Sequence, residues 1–128
     1  MRKCRLTITT VADGQENTIV RDGEMELSAN ATQICYREEH AVVSIRLQGE
    51  SATVERQGDY SLRLQLHTGQ TLKGEIGIGG SMGEIKTFTH AVQYSIREKS
   101  LMLSLKYDLL ITGEVQAMQL RLLGRYKD

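Results

Sequence analysis

Residues 101–111 read Leu101-Met102-Leu103-Ser104-Leu105-Lys106-Tyr107-Asp108-Leu109-Leu110-Ile111. Every odd position is large and apolar, and the phase never slips. Successive side chains on a strand point to opposite faces, so a two-residue beat of this length is a strand with one buried face. Upstream, Leu62, Leu64 and Leu66 alternate with Arg63, Gln65 and His67. Beyond the Thr68-Gly69 pair, Leu72, Ile76 and Ile78 keep the beat. Residues 61–112 are therefore read as β-sheet.

The same pattern extends in both directions. Strands are predicted over residues 3–11, 18–28, 32–37, 41–48 and 51–57, then through Leu62-Leu64-Leu66, then over 71–78, 84–96, 101–111 and 114–123. Gly and Asp punctuate the joins, as at Asp13-Gly14, Gly58-Asp59 and Gly113, where turn chemistry belongs. Asp22-Gly23 interrupts the second strand as an expected bulge. Residues 77–83 read as one glycine-rich loop. No stretch carries a helical apolar stripe. Ten short, evenly spaced strands specify an all-β domain, an antiparallel meander that curls and closes into a barrel of about 8–10 strands. With 128 residues, the chain forms one domain over its whole length, 1–128, burying roughly two thirds of its unfolded surface.

Composition narrows the function classes. Sixteen Lys and Arg balance sixteen Asp and Glu without a basic run, so the electrostatic footprint of a nucleic-acid binder is missing. No apolar run approaches a membrane span, and the opening Met-Arg-Lys-Cys-Arg-Leu is no secretory h-region. A cytoplasmic protein without nucleic-acid or membrane partners is expected. Cys4 falls on the inward phase with Leu6 and Ile8, and Cys35 on the outward phase. Both are expected to be free thiols, since opposite faces of a sheet do not meet disulfide geometry.

With the strands laid out, the chain resembles the YwiB-like family of small bacterial proteins of unknown function. The likeness rests on the basic start of the first strand (residues 3–9), on Gly23-Glu24 ahead of an alternating segment, and on the glycine-rich loop before Ile85-Lys86-Thr87. It rests also on Leu105-Lys106-Tyr107-Asp108-Leu109 followed by Gly113. The resemblance implies a calycin-like, lipocalin-like barrel and brings no catalytic residues. Lipocalins carry a Gly-x-Trp signature in the first strand; this chain has no Trp.

No catalytic constellation emerges, and a non-enzyme is expected. Gly79-Gly80-Ser81-Met82-Gly83 matches Gly-x-Ser-x-Gly, but that nucleophile elbow needs a strand-turn-helix in a large α/β sheet. His40, His67 and His90 lack ligand-type neighbours, so neither a metal nor another cofactor is expected. Polar groups on the apolar phase are more informative: Arg56 continues Ala52 and Val54, Arg21 follows Ile19, and His90 lies between Phe88 and Val92. Tyr36, Tyr60, Tyr94 and Tyr107 share inward phases. In one reading these groups sit at the barrel rim, where Arg reaches water. In the other they line a cavity for a small apolar anion, its head group on Arg56, because no inward Asp or Glu is evident to neutralise that guanidinium. Val42, Met102, Leu110 and Leu123 are apolar on the outward phase. If clustered, they form a homodimer surface around a filled core, the alternative to a ligand-binding barrel.

Overall fold

The computed structural model describes residues 1–127. Ten strands follow in sequence: β1 (Arg2–Ala12), β2 (Gln15–Glu26), β3 (Thr32–Glu38), β4 (Ala41–Gln48), β5 (Ser51–Gly58), β6 (Tyr60–His67), β7 (Thr71–Ile78), β8 (Ser81–Ile96), β9 (Ser100–Ile111) and β10 (Glu114–Tyr126). Each pairs antiparallel with its sequence neighbours, and β1 with β10, so the sheet closes into a barrel. Closure removes the free edges that a ten-stranded open sheet would expose.

Three expected features tighten. The loop expected at 77–83 shrinks to the two-residue turn Gly79-Gly80, with φ of 57° and 83°. Positive φ at both central residues matches the twist of the flanking strands, and only glycine adopts it freely. A strand follows this turn, not the helix that a nucleophile elbow requires. No bulge occurs at Gly23, because the β1–β2 register runs unbroken from Arg2↔Met25 to Ala12↔Gln15. Glycine is required there for another reason: a Cβ would lie 2.5 Å from the Cys35 carbonyl and 2.9 Å from Leu6, where β2 closes onto β3.

Among the described residues one bulge occurs, in β8 between Thr89 and Ala91, and it overturns the expected phase there. Ile85, Thr87 and Thr89 point inward before it, and Val92 after it. Phe88 and His90 are therefore outside, which corrects their inward assignment. An extra residue in one strand shifts the parity of everything beyond it. At this corner β7 has drawn away and β6 lies against β8. Side chains replace the missing ladder: Thr87 Oγ1 donates to the Gln65 carbonyl at 3.1 Å, Thr89 Oγ1 accepts from the His67 amide at 3.2 Å, and Thr68 Oγ1 accepts from the Val92 amide at 3.3 Å. Thr87 and Thr89 are buried, and these bonds satisfy the backbone groups they meet.

The two ends of the barrel differ. At the end of the 27–31 loop and the turns after β4, β6 and β8, the interior is filled by Cys4, Met25, Leu47, Leu66 and Leu101, all buried. Tyr126 closes this end: its hydroxyl accepts the Leu27 amide at 3.1 Å, and Arg2 stacks 3.9 Å from its ring. At the other end, beside the turns after β1, β3, β5, β7 and β9, inward-phase apolar residues stay in reach of solvent. Ile19, Leu62, Leu109 and Met118 are half-buried, while Ile111 and Ile78 are 48% and 61% exposed. No helix among the described residues is long and apolar enough to cross a membrane.

Candidate functional site

The open end collects most of the singled-out polar residues. Tyr36, at the fourth inward-or-outward alternation of β3, is buried, and so is Tyr107 of β9. Burial, with the Glu38 charge next, pushes the Tyr36 phenol above its ordinary value, while Arg21 and Arg56 oppose the rise. Tyr107 belongs to the same neighbourhood, and burial pushes its phenol up to about 12. Both hydroxyls are thus neutral donors throughout the physiological range. Neither bonds another protein group among the described residues, yet no buried side-chain polar atom lacks a partner. Their oxygens therefore keep a little contact with solvent.

Arg56 is only 12% exposed, yet it is not unpaired. Its guanidinium meets Asp59 at 2.8 Å and Glu38 at 3.5 Å, donates to the Tyr60 carbonyl at 2.8 Å, and lies 3.7 Å from the Tyr60 ring centroid. The expectation that no carboxylate meets it is overturned. Glu38 shares the phase of Tyr36 two residues earlier, and Asp59 sits three residues beyond Arg56 in the turn; both signals are visible in the sequence. The pairing ties β3, β5 and the β5–β6 turn together at the rim. It also holds the Asp59 carboxyl below its ordinary range, with the Arg56 hydrogen bond as the largest cause.

Arg21 is different. It is half-buried on the inward phase of β2, and its Nη1 donates to the adjacent Val20 carbonyl at 2.9 Å. No carboxylate among the described residues lies within ion-pair distance of it. The open end therefore holds one cation already neutralised, Arg56, and one that is not, Arg21, with two phenolic donors beside them. Tyr60 is 38% exposed and serves as the platform for Arg56. Tyr94 packs against the core beyond the β8 bulge, away from this cluster. His90 stands outside the barrel, bonded to Asp108 at 2.9 Å and edge-on to Phe88. Five of the seven residues named from the sequence thus gather at one end, and Tyr94 and His90 do not.

The outward apolar residues divide as well. Leu123 of β10 faces Met102 of β9 directly, whereas Leu110 pairs with Val115 and Val42 lies on β4, across the barrel. Among the described residues no group of three or more His, Cys, Asp or Glu is arranged to hold a metal. Cys4 and Cys35 are both free, the first buried and the second half-buried.

Comparison with known proteins agrees with this architecture. The crystal structure of the ywiB protein from Bacillus subtilis superposes with a TM-score of 0.84, covering 99% of this chain and 93% of that one at 18% sequence identity. At that identity the likeness concerns the fold. No curated protein matches. A family model described as a domain of unknown function (DUF1934) matches residues 3–122. With nearly its whole length accounted for, the chain belongs to the DUF1934 family.

Proposed function

We propose that this domain is a cytoplasmic, non-catalytic binding barrel that takes a small apolar anion into its open end. Arg21 receives the head group, assisted by the hydroxyls of Tyr36 and Tyr107. The tail lies along Leu62, Leu109 and Met118. The observation that carries this reading is the contrast between the two guanidiniums. Arg56 has its carboxylates built in, whereas Arg21, equally inward in phase, has none among the described residues. Apolar walls with a few converging polar groups are the usual makeup of a small-molecule site, and a planar guanidinium suits a carboxylate. Arg56 serves as a rim brace, not a ligand contact.

The test is titration with a dansyl-labelled undecanoate, read by fluorescence. Wild type is expected to bind, and Arg21→Met to weaken binding about tenfold, equivalent to about 1.4 kcal/mol. Tyr36→Phe should weaken it less, as one neutral hydrogen bond contributes only about 1 kcal/mol. Equal affinity in wild type and Arg21→Met removes Arg21 from the site. Absence of binding by the wild type removes the ligand-binding reading altogether.

A further inference from the structure

Closure joins β2 to β3 over four residues only, from Gly23↔Tyr36 to Glu26↔Gln33, while the rest of β2, back to Gln15, pairs with β1 alone. Beyond Glu38 the chain turns away into β4. The other edge of β2 is therefore open along residues 15–21. Its hydrogen-bonding parity follows from the Asp13-Gly14 turn, where φ is 49° and 84°. Such a two-residue turn closes on a hydrogen-bonded pair, here Ala12↔Gln15, and bonded pairs alternate with unbonded ones. Gln15, Asn17, Ile19 and Arg21 thus bond β1, whereas Glu16, Thr18 and Val20 direct their N–H and C=O groups away from it. Among the described residues no backbone group meets these. The Val20 carbonyl instead accepts Arg21 Nη1 at 2.9 Å, as a carbonyl outside the ladder can.

An open edge is a template for another strand, and proteins usually blunt one with charge, proline, a bulge or a covering element. Here residues 17–20 are Asn-Thr-Ile-Val, the chain has no proline, and the β1–β2 register is unbroken. Thr, Ile and Val favour strands, and Val20 is 54% exposed. A second copy fits this edge poorly. Pairing about a twofold axis at Thr18 would set the copy's β1–β2 turn opposite Asp22 and Gly23, where Tyr36 of β3 already pairs. Sliding the copy clear of β3 leaves bonds only between Glu16 and Thr18 across the axis. A separate peptide has no such turn and can end beside β3. At that end stands Arg21, a guanidinium with no carboxylate among the described residues, with Ile19 beside it on the same inward face.

We infer that the open edge of β2 takes an extended peptide of another protein as an added antiparallel strand. Backbone bonds to Glu16, Thr18 and Val20 supply the affinity, as in strand addition generally. The peptide starts with an acidic residue at Arg21 and carries a β-branched apolar residue two places on, beside Ile19. Only the acidic position shares Arg21 with the open-end reading and rests on it; the strand addition rests on the edge.

The probe is the peptide Glu-Thr-Ile-Thr-Thr-Thr with a C-terminal fluorophore, titrated with the full chain and followed by anisotropy. A Kd on the order of 100 μM is expected. N-methylation of its fourth residue, whose amide would face Thr18, should weaken binding at least about tenfold. N-methylation of the third, whose amide points away from β2, should change it less than about twofold. Arg21→Met should weaken the peptide about fivefold and leave one that starts with Gln unchanged; an equal loss for both removes the acidic position. Amide exchange at Thr18 and Val20 should be fast in the free protein and slowed by the peptide. No binding of the unmethylated peptide, or equal effects of the two methyl groups, overturns the inference, whether or not undecanoate binds the open end. So does protection of those amides without peptide in a protein that sediments as a dimer, which would put a second copy on the edge.

Discussion

The two ends of this barrel are written in the same alternating sequence and differ in what covers them. At the closed end Leu47, Leu66 and Leu101 are fully buried, Tyr126 seals the interior, and threonine hydroxyls satisfy backbone groups where β7 parts from β6. At the open end Leu62, Leu109 and Met118 occupy the same inward phase but remain half-buried. Alternation thus specifies the face of a sheet; it does not specify whether that face is covered. Coverage comes from the chain end and from the strands that outrun their neighbours.

The difference predicts unequal sensitivity to truncation. Leu47→Ala at the closed end should cost about 2–5 kcal/mol, because it leaves a cavity that rigid neighbours cannot fill. Leu62→Ala at the open end should cost about 1 kcal/mol, since only part of its surface leaves water and no closed cavity forms. Urea denaturation of both variants checks this, and equal losses would mean that the open end is packed as tightly as the closed one.

Two glycines of the open end sharpen the same comparison locally. A Cβ on Gly58 would lie 2.0 Å from the His40 carbonyl oxygen, a backbone atom that cannot step aside. Gly58→Ala should therefore cost about 1–3 kcal/mol through strain. At Gly83 the nearest atoms would be 3.6 and 3.9 Å away, and its φ is not positive. Gly83→Ala should be neutral or stabilising by up to about 1 kcal/mol, because it restricts the unfolded chain. Thermal midpoints of the two variants moving together would break the distinction between a crowded and a roomy rim.

Most of this architecture was legible before the structure. The strand count, the antiparallel order, closure and the inward phase of Leu6, Ile45, Leu64 and Leu105 all follow from a period of two. What was not legible has specific causes. The bulge between Thr89 and Ala91 has no compositional mark, so alternation alone puts His90 inside. Gly23 looked like an interruption because crowding by Cys35 and Leu6 is a tertiary fact. Asp59 lies in a turn, where its reach back to Arg56 depends on how the rim folds over, so its spacing marks a partner for Arg56 without fixing the pair.

The Arg56 brace gives a pH signature. Its hydrogen bond holds Asp59 below the ordinary carboxylate range in the folded state. A group depressed on folding contributes stability that is present above its unfolded pKa, near 3.9 for Asp. That contribution is lost as pH falls through the lower, folded value. The wild type should therefore lose stability more steeply below about pH 4 than Arg56→Met, in which the depression is removed. Urea midpoints measured between neutral pH and acid decide it, and parallel pH profiles would show that the pair is too well solvated to matter.

The smallest expected effect concerns the thiols, and it asks whether the closed end opens. Cys4 lies inside that end with no exposed surface, and burial, as the largest cause, pushes its thiol up to about 11. While Cys4 stays buried, only about one in a thousand would be thiolate at pH 8, and the thiolate is the reactive form. Cys35 lies on the outer face, half-buried between Glu24 and Ser44. An aromatic disulfide reagent under native conditions should consume one thiol promptly, and Cys35→Ser should abolish that phase. Unfolding without reductant should release both, since neither is in a disulfide. Modification of Cys4 should proceed no faster than the barrel unfolds. If Cys4 instead reacts at a rate independent of urea at low concentration, local fraying of β1 from β10 exposes it, and the closed end is less firmly shut than its packing implies.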